Sequence, residues 1–401
     1  MRRVAAIVAL LAACSCAGGG AGPAPQSSPS SAAPAAAASG PVEAAPGKAP
    51  FFAAPAAAHD IRVTVDTRAA KEILLSLARN KWEPTDMSLL EDLTPVRLAI
   101  QDASRDDETF RRDFAAAWNP DTKTAVFDFS TVRREIDRWQ VVLEAVVSGR
   151  AELEREAARR AASLLPGDRV ISAKLTVYVS FGLAGLADHL VVTLPDGTPA
   201  MVVDLARVLG DVDTGVATNQ VTRLVRLMSS EAFRIAWSSY REGSPAWGRL
   251  PAALGALEPL VRVTGEAGPV ALFGIEESFF PLSTWLKEPM QRSVNDLNRM
   301  GERLIESEAD LETRLSLAGE VKRPDFVRRV AGPAGAYMAD GIVQASGVDG
   351  LRQTLSRGPI AFFQAYEAAG RQRKELPPFS KVLTDRIAAA AAASPPPPAP
   401  K

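Results

Sequence analysis

The sequence predicts a mostly helical α+β domain in which a small antiparallel sheet packs against helices. Three observations carry that expectation. Long stretches read as helices broken by Gly and Pro, above all from about Thr218 to Ala369. Between Lys174 and Phe181 the period drops to two, with Leu175, Val177, Val179 and Phe181 on one side and polar residues on the other. Asp196-Gly197 then marks a turn between two further short runs, Asp188–Leu194 and Ala200–Val203.

The chain opens with Arg2 and Arg3, followed by an apolar run from Val4 to Leu11. That run is far shorter than the roughly 20 residues a membrane-spanning helix needs. A positive start, a short apolar core and small residues at the cut form the pattern of a removable export signal. Leu11-Ala12-Ala13-Cys14 resembles a bacterial lipobox, which implies a signal over residues 1–13 and a lipid on Cys14. Each buried acyl methylene contributes about 0.8 kcal/mol, so several chains hold a protein to a membrane almost permanently. Ser15 stands where Asp would favour inner-membrane retention, and the expected location is the outer membrane of the cell envelope.

Residues 14–58 are almost entirely Ala, Pro, Gly and Ser. Such a segment has too little apolar surface to offset its ordering entropy, and it is expected to be a disordered tether. A coil of about 40 residues spans on the order of 35 Å. The alanine run and Pro395–Pro398 give residues 387–401 the same character, leaving 59–386 as the folded domain. Cys14 and Cys16 are the only cysteines, so no disulfide is expected within it; a domain this large can bury a sufficient core without one.

Within the domain, His59–Val65 alternates as a short strand, and helices are expected over about Arg68–Arg79, Pro95–Ala103, Asp107–Ala117 and Thr131–Leu165. The charges around Glu152, Glu156 and Arg160 suit a solvated helix face. Sheet strands fall within about 171–204. Lys and Arg number 46 against 47 Asp and Glu, a net charge of −1, and they are scattered. Without a basic stripe, nucleic acid is not an expected partner. Membrane contact is assigned to the lipid anchor alone.

The helix expected over about Asn219–Tyr240 frames the functional question. At 100° per residue, Val221, Leu224, Val225, Met228, Ala232, Ile235 and Ala236 form one apolar face. Ser230 and Arg234 point to the other side, flanked by Leu227, Glu231 and Trp237. A small sheet followed by a helix with two paired positions at i,i+4 is the setting of a His-Glu-x-x-His zinc peptidase. There two histidines hold the metal and the Glu between them acts as general base. Here the pentapeptide is Ser230-Glu231-Ala232-Phe233-Arg234: the Glu is present and both histidines are missing.

Residues from about Leu153 to Ala369 resemble a bacterial family of unknown function described as zinc-dependent peptidases with a zincin-like helix. The matching features are Leu164-Leu165-Pro166-Gly167 before the strand Leu175–Phe181, the strand Ala200–Val203, and the helix Val221–Trp237. Gly335-Ala336-Tyr337-Met338-Ala339 and Gly358–Tyr366 match the family's closing helices. The resemblance implies a zincin-like fold. It places Ser230 and Arg234 in the two histidine positions and a third, carboxylate position at Phe273, Glu276 or Glu277.

Ligand chemistry opposes zinc at that slot. A catalytic zinc takes three protein ligands from His, Cys and carboxylates. The folded region offers only His59 at its edge and His189 in a strand, and Arg234 adds a permanent positive charge. The expectation is that no metal or other cofactor is bound, with Arg234 filling the slot by pairing with Glu231, Glu276 or Glu277. Two functions follow: a pseudopeptidase that binds a peptide or envelope-protein partner, or a hydrolase with a carboxylate site around Glu231 and Glu276-Glu277.

Other constellations carry less. Asp211-Val212-Asp213-Thr214-Gly215 starts like a calcium loop, but the Gly falls one place early and no Glu closes it. Asp188-His189 has no Gly-x-Ser-x-Gly elbow to serve, and no nucleotide-binding motif occurs. Leu297, Leu304 and Leu311 recur every seven residues around Gly301 and suit core packing. Trp237, Tyr240, Trp247 and Trp285 are candidates either for a ligand cleft or for the core.

Overall fold

Strand β1 (Asp60–Asp66) finds its partner more than a hundred residues later, in β2 (Ser172–Ser180), and the two run parallel in the register Asp60↔Ser172 to Asp66↔Tyr178. Parallel strands need a crossover of a dozen residues or more. In the computed structural model seven helices supply it: α1 (Arg68–Leu77), α2 (Pro84–Glu91), α3 (Thr94–Asp102), α4 (Asp107–Ala115), α5 (Phe129–Arg134), α6 (Ile136–Ser148) and α7 (Arg150–Ala162). The structure describes residues 58–393, apart from 82, 104, 120–123, 125, 184–187, 210–216 and 280–283. Cys14, the tether up to residue 57, the segment Asp211–Gly215 and the tail from 394 lie outside the described residues.

After β2 come β3 (His189–Thr193) and β4 (Pro199–Asp204), joined by the expected turn. Gly197 sits at φ 84°, Leu194 and Thr198 close the hairpin at 2.9 Å, and the Asp196 carboxylate accepts from Thr198 N. β3 pairs antiparallel with β4, but β4 pairs parallel with β2, giving the order β1-β2-β4-β3. The sheet is therefore mixed rather than antiparallel. Its strand content also begins at residue 60, because β1 forms an edge beside β2. Ala200–Asp204 are all buried, as expected for a central strand covered on both faces.

The long helix expected over Thr131–Leu165 is three helices. It breaks at Glu135, whose ψ is 30°, and at Gly149, where a Cβ would stand 3.1 Å from the Ala145 carbonyl. On α7 the charges pair with one another: Arg159 and Arg160 both reach Glu156 at 2.7 Å, and these bonds draw its carboxyl down to about 2. Between α4 and α5, Phe110, Phe114, Phe127 and Phe129 pack edge to face in a fully buried cluster. The buried Asp113 carboxylate accepts from Val126 N and Phe127 N at 2.8 and 3.1 Å, pinning the loop to that cluster.

A second layer follows β4: α8 (Leu205–Leu209), α9 (Ala217–Gly243), α10 (Glu258–Phe279), α11 (Thr284–Glu306), α12 (Leu311–Val321), α13 (Pro324–Phe326), α14 (Gly332–Ser356), α15 (Pro359–Gln372) and α16 (Lys381–Ala392). Leu297 and Leu304 are buried on α11, whereas Leu311 is exposed at the start of α12, so the heptad spacing is core packing that ends there.

Helix α16 corrects the reading of a disordered tail from residue 387 for residues up to Ala392. Leu383, Ile387 and Ala390 are fully buried, and Arg386 forks onto Glu308 with two bonds of 2.8 Å. Alanine is the strongest helix former, and spacings of four and three place these three residues on one face. Ile387→Asp is expected to lower stability by about 3 kcal/mol or more, from lost burial plus a charge in the core. A denaturation midpoint equal to the parent's would return residue 387 to the tail.

Candidate functional site

Helix α9 carries the pentapeptide Ser230–Arg234. It packs on α7, on β2 and on α10, so its middle turns face the interior on several sides. Phe233, Ala236, Trp237 and Tyr240 are all buried. Phe233 stacks on Phe273 of α10 at 4.5 Å between ring centroids with planes 9° apart. The stack continues through Trp237 to Tyr240, and Trp247 meets Trp237 edge-on at 5.0 Å.

Hydrogen bonds lock this stack to its surroundings. Trp237 Nε1 donates to the Glu266 carbonyl at 2.9 Å, and Arg241 pairs with the Glu266 carboxylate at 2.7 Å. Trp247 Nε1 donates to the Leu355 carbonyl at 2.8 Å. The Tyr240 hydroxyl donates to Asp168 at 3.0 Å; burial and that carboxylate push its ionisation up. Arg169 lies over the Tyr240 ring at 4.8 Å and donates to the carbonyls of Ser239 and Tyr240 near the end of α9. Trp237, Tyr240 and Trp247 are thus core aromatics. The side chain of Trp285 lies outside the described residues.

Glu231 is 4 % exposed, and its carboxylate is taken by one partner. Arg234 Nε donates to both carboxylate oxygens, at 3.0 and 2.9 Å, and Arg234 Nη2 donates to Oε1. The pair is local, i to i+3 on one helix, with 29 % of the Arg234 side chain exposed. Of the three partners expected for Arg234, Glu231 is the one among the described side chains, and it is paired with Arg234. Ser230 sits half-buried one turn before Arg234.

Phe273, the first candidate for a third ligand position, is brought next to the pentapeptide, but as a buried ring stacked on Phe233. Glu276 and Glu277 fall within α10, and their side chains lie outside the described residues. Among the described residues, the motif positions therefore supply a serine, a carboxylate already bound by an arginine, that arginine, and a phenylalanine. These residues do not fit zinc, which takes His, Cys or free carboxylates. Among the described residues no group of three or more His, Cys, Asp or Glu could hold a metal ion.

Two features were not anticipated. His189, on the edge strand β3, lies close enough to Glu231 for that carboxylate to raise its ionisation, though burial outweighs it and holds the imidazole below its ordinary value. Its Nδ1 is buried without a hydrogen-bond partner among the described residues. The alternating pattern placed His189 on a strand but could not place that strand beside α9. The second feature is a cavity of about 70 Å³ at the carboxyl ends of β2 and β4, lined by Asp128, Thr131, Gly182, Asp204, Ala206 and Arg207. Both carboxylates there cap helices: Asp128 accepts from Thr131 N at 3.1 Å and Asp204 from Ala206 N at 3.0 Å. Their spacing before helical runs was the available signal.

Comparison with family models, with curated proteins and with solved structures finds no match for this chain.

Proposed function

We propose that this chain is an exported envelope protein, held by a lipid on Cys14, whose domain has the helix of a zinc peptidase without its chemistry. In this reading it binds a peptide or protein partner and does not cut it. One observation supports the reading above the rest: the Glu231 carboxylate already accepts three hydrogen bonds from Arg234. A general base must reach the proton it abstracts through a free lone pair. A carboxylate forked by a guanidinium has those lone pairs already occupied.

The experiment has two arms on the full chain. Incorporation of labelled palmitate that disappears in Cys14→Ser supports the anchor, and labelling that persists removes it. Incubation with casein and a peptide library, with and without chelator, addresses catalysis. The proposal expects no turnover in either condition and capture of a defined envelope protein. Turnover that survives chelation and vanishes in Glu231→Gln would establish the carboxylate hydrolase instead.

A further inference from the structure

His59 is the last residue before β1, so all of the chain N-terminal to it reaches the sheet through this position. Its Nδ1 accepts a hydrogen bond from Ile171 N at 3.3 Å, and the next rung of the same junction is Asp60 N donating to Ile171 O at 2.8 Å. An imidazole that accepts at Nδ1 must be neutral, with its proton on Nε2. That Nε2 is buried and has no partner among the described residues.

We propose that His59 is a proton-operated latch on the edge of the sheet: its neutral ring holds Ile171 and the first residues of β1 together, and protonation releases them. Protonation puts a hydrogen on Nδ1, facing the Ile171 N–H, so an acceptor becomes a second donor and the bond is lost. Among the described residues the new charge meets mainly repulsion. Arg352 of α14 faces the ring, fixed by the Ser163 carbonyl at 2.6 Å and Asp349 at 2.5 Å, and repels it. Asp168, from the loop before β2, is the attractive neighbour among the described residues, and its carboxylate is engaged by the Tyr240 hydroxyl. On His59's own side, Asp60 is turned toward Arg62 and Ser172, at 2.8 and 3.2 Å.

Burial, then Arg352, hold His59 below its ordinary value of 6.5, and Asp168 only partly opposes them. The sign follows. The unfolded or released ring takes up a proton more readily than the latched one. The latch contributes fully above pH 6.5 and is lost progressively as pH falls from there through the lowered value of the latched ring. The bond at stake is a single one, so release should raise local opening about three- to tenfold rather than unfold the domain.

The test is amide hydrogen exchange on the full chain at about pH 7.5 and pH 5, corrected for intrinsic rates, in the parent and in His59→Gln. The parent should lose protection at Ile171 and Asp60 by about three- to tenfold at the lower pH, while Val177 and Val202 in the centre of the sheet keep theirs. His59→Gln, which cannot titrate, should show no such pH dependence. Ring nitrogen spectra, simple in a chain with 2 histidines, should report the Nε2–H form of His59 at neutral pH. Unchanged protection in the parent, the same loss in His59→Gln, or a ring that takes up its proton above pH 6.5 would each overturn the latch.

Discussion

Gly335→Ala should destabilise the fold by about 3 kcal/mol, although it adds a single methyl group to a helix interior where Ala is normally favoured. The added Cβ would stand 2.6 Å from Gly268 Cα and 2.7 Å from the Thr264 carbonyl oxygen. These are backbone atoms of α10, which cannot turn aside as a flexible side chain would. The reciprocal change meets the same wall, since a Cβ on Gly268 would lie 2.7 Å from the Gly335 carbonyl carbon. The α10–α14 contact is the most extensive between any two elements, so separating these helices opens the second layer. Gly319→Ala on α12 is the matched control. Nothing lies within 4 Å of its added Cβ, and the helix should gain about 0.8 kcal/mol. Urea midpoints of the two variants on opposite sides of the parent would bear this out; coincident midpoints would remove the close helix contact.

Glu231→Gln should cost about 2 kcal/mol of stability. Breaking a fully buried ion pair typically costs about 3–5 kcal/mol, because the surviving charge is stranded. Arg234 keeps 29 % of its side chain exposed, and water there offsets part of that cost. The neutral amide retains the shape of Glu231 but leaves Arg234 without a counter-charge inside the helix layer. Arg234→Met in the same background removes the stranded charge and should recover part of the loss. A double-mutant cycle with a coupling of about 1 kcal/mol or more identifies the pair as a structural unit. Additive single effects would show that Glu231 and Arg234 act independently.

Much of this fold is written in local pattern. The alternation over Leu175–Phe181 and the Asp196-Gly197 turn correspond to β2 and to the hairpin of β3 and β4. On α9, Leu224, Val225, Met228, Ala232 and Ala236 of the apolar face are buried, but so are Glu231, Phe233, Trp237 and Tyr240 outside it, because the helix is covered on several sides. What the pattern lacked was partnership at a distance. Nothing near His59–Val65 announces that Ser172–Ser180 will lie beside it, so the parallel pairings, and with them the mixed sheet, were invisible. Composition misled at the C-terminus, where an alanine run reads as unable to bury surface until Leu383 and Ile387 are seen facing the core. At the candidate site the sequence offered Glu231 as one of three partners for Arg234, and the i,i+3 pairing on α9 is the one among the described side chains. The stacking of Phe273 on Phe233 and the nearness of His189 to Glu231 depend on how α10 and β3 dock against α9, which no single segment encodes.

The central claim is that an arginine holds the carboxylate of this helix and that no metal belongs in the slot beside it. Zinc analysis of the purified full chain, followed by calorimetric titration with zinc, tests it most directly. The account predicts substoichiometric zinc as purified and no saturable heat on addition. One tightly bound zinc per chain, lost on Glu231→Gln or on replacement of Ser230, would contradict it.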